Sequence, residues 1–505
     1  MKRTAIFEMA TRRRPGSIAI EILFFLWATL MLGAAVAVPR EFPPATPPPK
    51  PAVLPAPAVR ALPNGLKVVV IERRTLPLLT LRLVVKAGAE ADPAELAGTA
   101  QLVSALLTEG TTRRSGRQIA EAIDSVGGLI DSGATWDSSY VTLSVLNDHI
   151  ELAFDLLADI VVHPAFAPAE IERKRKQTLS GLEVVREDPS YVADTALRQM
   201  IFAGTPYSHP EDGTVETVRR ITPEDLRTFH RGYYRPSNSI LAIVGDIVTS
   251  EAFDRAEHFF ASWADGPAPT ALRASILSQG PRRGMAIDKP DAVQTEIRIG
   301  NLGAPRESPD YYALSAADQI LGGPAANRLF KALRSRQGLT YGASSELVCY
   351  RTLGAWVAKT FTRTPETFQT VQVALEQMRN LRGHPITVQE LETTKGYLIG
   401  HLALEFETSD GIASQVLELM IHDLPLDYWN RFPEKIRALT PEEIWKITRR
   451  YLDPEQNVIV LVGNVSAFKK DLKKLGPVQI IPLRNLDFGS ADFVPPKSKL
   501  GAGKR

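Results

Sequence analysis

The stretch "ITPEDLRTFHRGYYRPSNSILAIVGDI", residues 221–247, returns later in the chain as "LTPEEIWKITRRYLDPEQNVIVLVGNV", residues 439–465. Thr222 matches Thr440, Tyr233 matches Tyr451, Pro236 matches Pro454 and Gly245 matches Gly463, an offset of 440 − 222 = 218 residues with no gap. A constant register of this kind implies two diverged copies of one domain. Each copy reads as a threonine N-cap with proline at the first helical position, an amphipathic helix, a proline turn, and a strand that ends in glycine. "SILAIVGDI" and "NVIVLVGNV" are apolar enough to be central strands covered on at least one face. Helix and strand alternate within each copy, so the chain reads as two tandem α+β domains.

Working outward, the domains span residues 61–266 and 282–477, joined by a linker over 267–281. Asn64-Gly65 marks a turn between two β-rich runs at the start of the first domain. A tail over 478–505 ends in "VPPKSKLGAGKR" and is expected to be loosely ordered. At the other end, "RRRPG" precedes the apolar run "SIAIEILFFLWATLMLGAAVAV", residues 17–38, in the order of an export signal. Ala35 and Ala37 supply an A-x-A cleavage site, and the run is also long enough to span a bilayer if left uncut. Residues 39–60 are dense in proline and read as a semi-rigid spacer. The expected location is therefore outside the cytoplasm, in the periplasm or cell envelope, free or held at the inner membrane by the uncut segment.

Composition excludes more than it selects. The 505 residues are 44% hydrophobic and 23% charged, enough for two or three cores, and the formal net charge of +2 gives no electrostatic argument for nucleic acid. Export permits disulfides, yet Cys349 is the only cysteine, so none can form within the chain. Cys349 reads as a buried, inert thiol without a histidine base nearby in sequence. There is no G-x-S-x-G elbow, and "LGGPAANRLFK" lacks the Walker spacing.

One helix has the frame of a metal site without its ligands. In "GTAQLVSALLTEGT", residues 98–111, a helix over 94–108 places positions 101, 104 and 105 on one face, and Gly110 stops it. This glycine, short apolar helix and glycine-threonine pair, early in the first of two repeated domains, resembles the zinc helix of the pitrilysin/insulinase-type metallopeptidases. That family carries the inverted H-x-x-E-H signature, in which two histidines bind zinc and the glutamate activates its water. On this register the three positions hold Gln101, Ser104 and Ala105. A neutral amide, a hydroxyl and a methyl supply neither the imidazoles nor the carboxylate. The nearest counterparts of the family's further carboxylate are Glu183 and Glu187, which read as solvent-facing. No two of the eight histidines have ligand spacing; His401 and Glu405 read as a helix-face pair and His209 as a structural turn residue.

The second domain keeps more. "QILGGPAANRLFKALRSRQGLTYGASS", residues 319–345, is similar to the family stretch whose arginine and tyrosine reach the substrate backbone; here these are Arg334 and Tyr341. A guanidinium fork and a phenol suit peptide oxygens, although either residue could equally serve structure alone. The resemblance spans nearly all of residues 61–477. It implies clam-shell domains, each a mostly antiparallel sheet packed with helices, and a degenerate member with no metal or cofactor of its own. It further implies an exported two-chain zinc peptidase in which a homologous partner carries the intact motif and the zinc, while this chain holds unfolded peptide. Two other readings stay open: a stand-alone peptide-binding or assembly scaffold, and a metal-independent enzyme with an unrecognised site.

Overall fold

The computed structural model describes residues 53–266, 280–324 and 327–494. The apolar run 17–38 and most of the expected linker lie outside them. Two six-stranded sheets form the frame. The first contains β1 (Ala58–Ala61), β2 (Lys67–Glu72), β3 (Leu78–Val85), β4 (Leu129–Ala134), β5 (Ser139–Leu146) and β6 (Ser239–Gly245), in the order β1-β2-β6-β3-β5-β4. The second contains β7 (Arg283–Asp288), β8 (Gln294–Leu302), β9 (Ala343–Cys349), β10 (Gly354–Arg363), β11 (Val458–Gly463) and β12 (Val478–Pro482), in the order β12-β7-β11-β8-β10-β9. Most neighbours are antiparallel; β2–β6, β7–β11 and β7–β12 are parallel. The helices that matter below are α1 (Thr99–Leu107), α2 (Pro168–Val185), α3 (Pro189–Ile201), α4 (Pro223–Tyr233), α5 (Tyr311–Gly322), α6 (Thr367–Gly383), α7 (Val388–Glu405), α8 (Ser409–Ile421), α9 (Tyr428–Ala438) and α10 (Pro441–Tyr451).

The repeat is realised element by element. Thr222 and Thr440 each cap an eleven-residue helix, α4 and α10, in a reciprocal box with Asp225 and Glu443. Each helix leads to the third strand of its sheet, β6 or β11. Gly245 ends β6 at φ +148°, and a Cβ there would lie 2.1 Å from the Leu78 carbonyl oxygen, so the strand end admits only glycine.

Each sheet is covered on one face by helices of its own domain and on the reverse by helices of the other domain. In the first, Val68, Val70, Leu81 and Ile243 meet Ala100, Val103 and Leu107 of α1. On its reverse, Val69, Ile71, Val84 and Ala242 pack with Ile412, Val416 and Leu417 of α8 and Trp429 of α9. In return, Val192, Ala196 and Leu197 of α3 lie against Met285, Ile287 and Val460 of the second sheet. Every residue of β6 and β11 is consequently buried, the reason these strands are apolar at consecutive rather than alternate positions.

Both ends of the described chain strengthen this interlock, and both shift expected boundaries. The proline-rich stretch is not a free spacer throughout. Leu54 is buried, its N–H donates to Asn430 Oδ1 (2.8 Å), its carbonyl accepts from Asn430 Nδ2 (3.0 Å), and β1 already begins at Ala58. The expected tail from 478 opens instead with β12, which extends the second sheet along β7. Beyond it, Leu486 and Phe493 are buried beside α3, and Gln199 Nε2 donates to the carbonyls of Phe488 (3.2 Å) and Ser490 (3.3 Å). The open edge of a sheet and an uncovered apolar helix face order this segment despite its polar composition. Among the described residues, no helix is long and apolar enough to cross a membrane.

Candidate functional site

The helix with the zinc-motif frame is shorter than its sequence suggests. Pro93 precedes a single turn at Ala94–Leu96, and α1 starts after Gly98, whose φ of +96° and backbone approach to Asp212 exclude a side chain. Asp92 satisfies the helix start: Oδ2 accepts from the Gly98 N–H (2.8 Å) and Oδ1 from that of Ala100 (2.9 Å). Burial pushes this carboxyl up to about 8 against the pull of those amides.

The three motif positions do not form an open polar face. Gln101 spends its amide on β4, Nε2 donating to the Ala134 carbonyl at 2.8 Å. Ser104 has no exposed surface; its hydroxyl lies 3.2 Å from that of Tyr234 at the end of α4, and its carbonyl accepts from Ser132 Oγ on β4 (3.0 Å). Ala105 is half-buried and offers no donor atom. Where a water-activating carboxylate would need solvent and metal, there is a packed pair of hydroxyls.

The remaining ligand candidates are dispersed. Glu183 is exposed on α2 and Glu187, past its end, lies 3.8 Å from Lys289 Nζ. His209 Nδ1 sits 3.0 Å from the Pro210 carbonyl with its ring 5.3 Å from that of Trp136, and burial lowers its proton affinity. His401 lies 3.4 Å from Glu405 across one helical turn, on a half-exposed face of α7. Among the described residues no three His, Cys, Asp or Glu side chains are grouped to hold a metal. The donor set at 101, 104 and 105 does not fit zinc. Burial likewise pushes the Cys349 thiol up to about 12, away from nucleophilic use.

Arg334 and Tyr341, by contrast, come together. Asn327 caps the short helix Arg328–Phe330, which widens into a π-helical turn over Lys331–Arg336; Gly338 at φ +61° then reverses the chain. Buried Leu333 and Leu339 anchor the loop on either side. The Arg334 guanidinium carbon lies 4.2 Å from the Tyr341 ring centroid and 5.0 Å from that of Phe330, and Nη1 donates to the Tyr341 carbonyl at 3.0 Å. Tyr341 is 74% exposed, two residues before edge strand β9. Among the described residues only one of the five guanidinium N–H groups has an acceptor, and the stacking holds the fork and the phenol in place. The structure places this pair and the α1 positions in separate parts of the chain, with no hydrogen bond between them among the described residues.

A cluster of buried carboxyls that the sequence did not signal lies at the seam between the sheets. Glu90, 3% exposed, accepts from the Gly88 N–H (2.9 Å) and from Arg351 Nη2 (2.7 Å). Asp137 accepts from the Tyr207 hydroxyl (2.6 Å) and the Arg351 N–H (2.8 Å), and Tyr207 stacks on Tyr350 with centroids 4.6 Å apart. Burial first, then the charge of Asp137, push Glu90 up to about 8. Every member is engaged across the seam, so the cluster fastens the two domains.

Comparison with known proteins agrees with this architecture. Residues 67–214 match the insulinase (peptidase family M16) model and residues 220–398 the peptidase M16 inactive domain model. The chain is 29% identical to an uncharacterized zinc protease of Mycobacterium leprae, over 70% of this chain and 80% of that one. It is 24% identical to an uncharacterized zinc protease of Bacillus subtilis, over 70% and 85%. Its fold is similar to a crystal structure of a peptidase M16 inactive domain from Pseudomonas fluorescens, with a TM-score of 0.77 and 29% identity over 81% of this chain and 98% of that one. It also resembles the first half of the periplasmic protease PqqL from Escherichia coli, with a TM-score of 0.68 and 15% identity over 84% and 95%. The repeat, the paired sheets and these matches together place the chain in the insulinase (M16) peptidase family, as a degenerate, non-catalytic member.

Proposed function

We propose that the chain is the non-catalytic, peptide-binding subunit of an exported heterodimeric zinc metallopeptidase. The observation that carries this reading is a contrast. The metal positions on α1 are turned to packing, while Arg334 and Tyr341 are braced against each other and presented to solvent. A stacked guanidinium with free N–H groups can hold peptide carbonyls or a carboxylate, and the adjoining edge of β9 can pair with an extended chain.

The interlock supports a partner. The two domains of this chain cover the reverse faces of each other's sheets, so a peptide chamber would be made against another chain rather than between them. A fold of the same extent constitutes one half of the Escherichia coli protease it resembles, which supports a two-part assembly. In this reading a homologous chain with intact H-x-x-E-H supplies zinc and the attacking water, and this chain binds and orients unfolded substrate. The apolar run at residues 17–38 supports export to the periplasm or cell envelope.

Co-purification from the native envelope tests the pairing. Recovery of a homologous chain with an intact zinc motif in equal amount is the expected result. Recovery of this chain alone or as a homodimer would favour the stand-alone scaffold.

A further inference from the structure

The helical turn that bears Arg334 also walls a cleft of about 540 Å³, bounded by α5, α6 and α7. Its charged lining is Arg328, Lys331, Arg336 and Glu390, three cations against one anion. Glu390 is already committed: both its oxygens accept from Arg328, at 2.9 and 3.0 Å, and Oε2 also accepts from the Thr387 N–H that it caps. Lys331 and Arg336 are exposed and take part in no ion pair or side-chain hydrogen bond among the described residues. Facing them, the amides of Gln319, Gln377, Asn380 and Gln389 likewise have no side-chain partner among the described residues. Such a lining offers fixed positive charge for carboxylates and paired donors and acceptors for a polypeptide backbone.

Resting on the reading of Arg334 and Tyr341 as a peptide clamp, we infer that this cleft receives an acidic segment of the bound peptide, held by Lys331 and Arg336. Both cations stand on the same six-residue turn as Arg334, which keeps the cleft within one helical turn of the clamp along the chain. The subunit therefore selects substrates with aspartate or glutamate beside the clamped stretch.

Fluorescence anisotropy with the full chain and short labelled unstructured peptides tests this. A peptide with an Asp/Glu block should bind about tenfold more tightly than its Asn/Gln counterpart, and the advantage should shrink as salt is raised. The double variant Lys331→Glu, Arg336→Glu should abolish the advantage yet keep the binding of the neutral peptide, which Arg334→Ala should weaken. Equal binding of acidic and neutral peptides would overturn the inference, as would an advantage that survives the double variant. Equal or tighter binding of a single-stranded oligonucleotide through the same two residues would overturn it as well. Should the acidic peptide bind through Lys331 and Arg336 while Arg334→Ala changes nothing, the acidic cleft stands and the Arg334 clamp falls.

Discussion

Arg82 and Arg298 occupy the same register position in the two sheets, opposite Ala242 of β6 and Val460 of β11, and each reaches a helix of the other domain. Arg82 Nη1 donates to Ser414 Oγ (2.7 Å) and Asp410 Oδ1 (3.3 Å) of α8; Arg298 donates to Asp194 Oδ1 (2.8 Å) and Ser190 Oγ (2.7 Å) of α3. The repeat thus holds itself together with one device used twice. The two copies differ in solvent access, since the Arg298 side chain is 4% exposed and that of Arg82 21%.

That difference sets the first prediction. Burial alone would raise Asp194, but Arg298 and then Lys359 hold it below the usual carboxylate range. Removing Arg298 leaves a largely buried carboxylate without its main partner, so Arg298→Ala should cost about 3 kcal/mol. Arg82→Ala, at a half-open site, should cost less than about 1 kcal/mol. Urea denaturation of the two variants checks the order.

The reciprocal cover predicts one cooperative transition for both domains. Leu197→Ala on α3 removes packing from the second sheet and should lower stability by about 2–5 kcal/mol without splitting the transition. Calorimetry resolving two separate domain transitions would contradict the interlock.

Glu90 makes the seam sensitive to alkali. Its folded value of about 8 lies above the ordinary 4.5, so the protonated form is favoured by folding. Its contribution is full below about pH 4.5, declines above it and is lost as pH rises through about 8. The melting temperature should fall between pH 6 and pH 9 (roughly the window of that loss), and Glu90→Gln should flatten the fall. An unchanged slope would remove Glu90 from the seam's titration.

Ser104 tests the loss of the metal face. Ser104→Glu forces a carboxylate into the contact with Tyr234 and should destabilise by about 3 kcal/mol or more. Gln101→His, at a half-buried position on the helix surface, should be tolerated within about 1 kcal/mol. Neither variant, nor the two combined, should acquire zinc, which elemental analysis reads directly.

Much of this was legible in the sequence because it is local or periodic. The offset of 218 residues set Thr222 against Thr440 and both caps are present. The apolar strands "SILAIVG" and "VIVLVG" read as covered, but which helix covers their second face depends on pairings between distant segments such as α3 with β11. Helical spacing put positions 101, 104 and 105 on one side without revealing that Tyr234, 130 residues after Ser104, would bury the middle one. β12 is not evident in the pattern of "VQIIP", because its order comes from the free edge of β7. Arg334 and Tyr341 were found through resemblance; their mutual stacking depends on a π-helical turn that spacing does not announce.

On the proposed function, this chain cuts nothing alone and contributes Arg334 to a partner's catalysis. The most direct measurement titrates the purified chain into a homologous chain carrying the intact zinc motif while following cleavage of an unfolded peptide. The expected result is no cleavage and no stoichiometric zinc for this chain alone, activity that saturates at equal amounts, and an Arg334→Ala complex that assembles normally with kcat/KM lowered about a hundredfold, a loss of roughly 2.7 kcal/mol in transition-state binding. Zinc-dependent cleavage by this chain alone, or full activity in the Arg334→Ala complex, would contradict it.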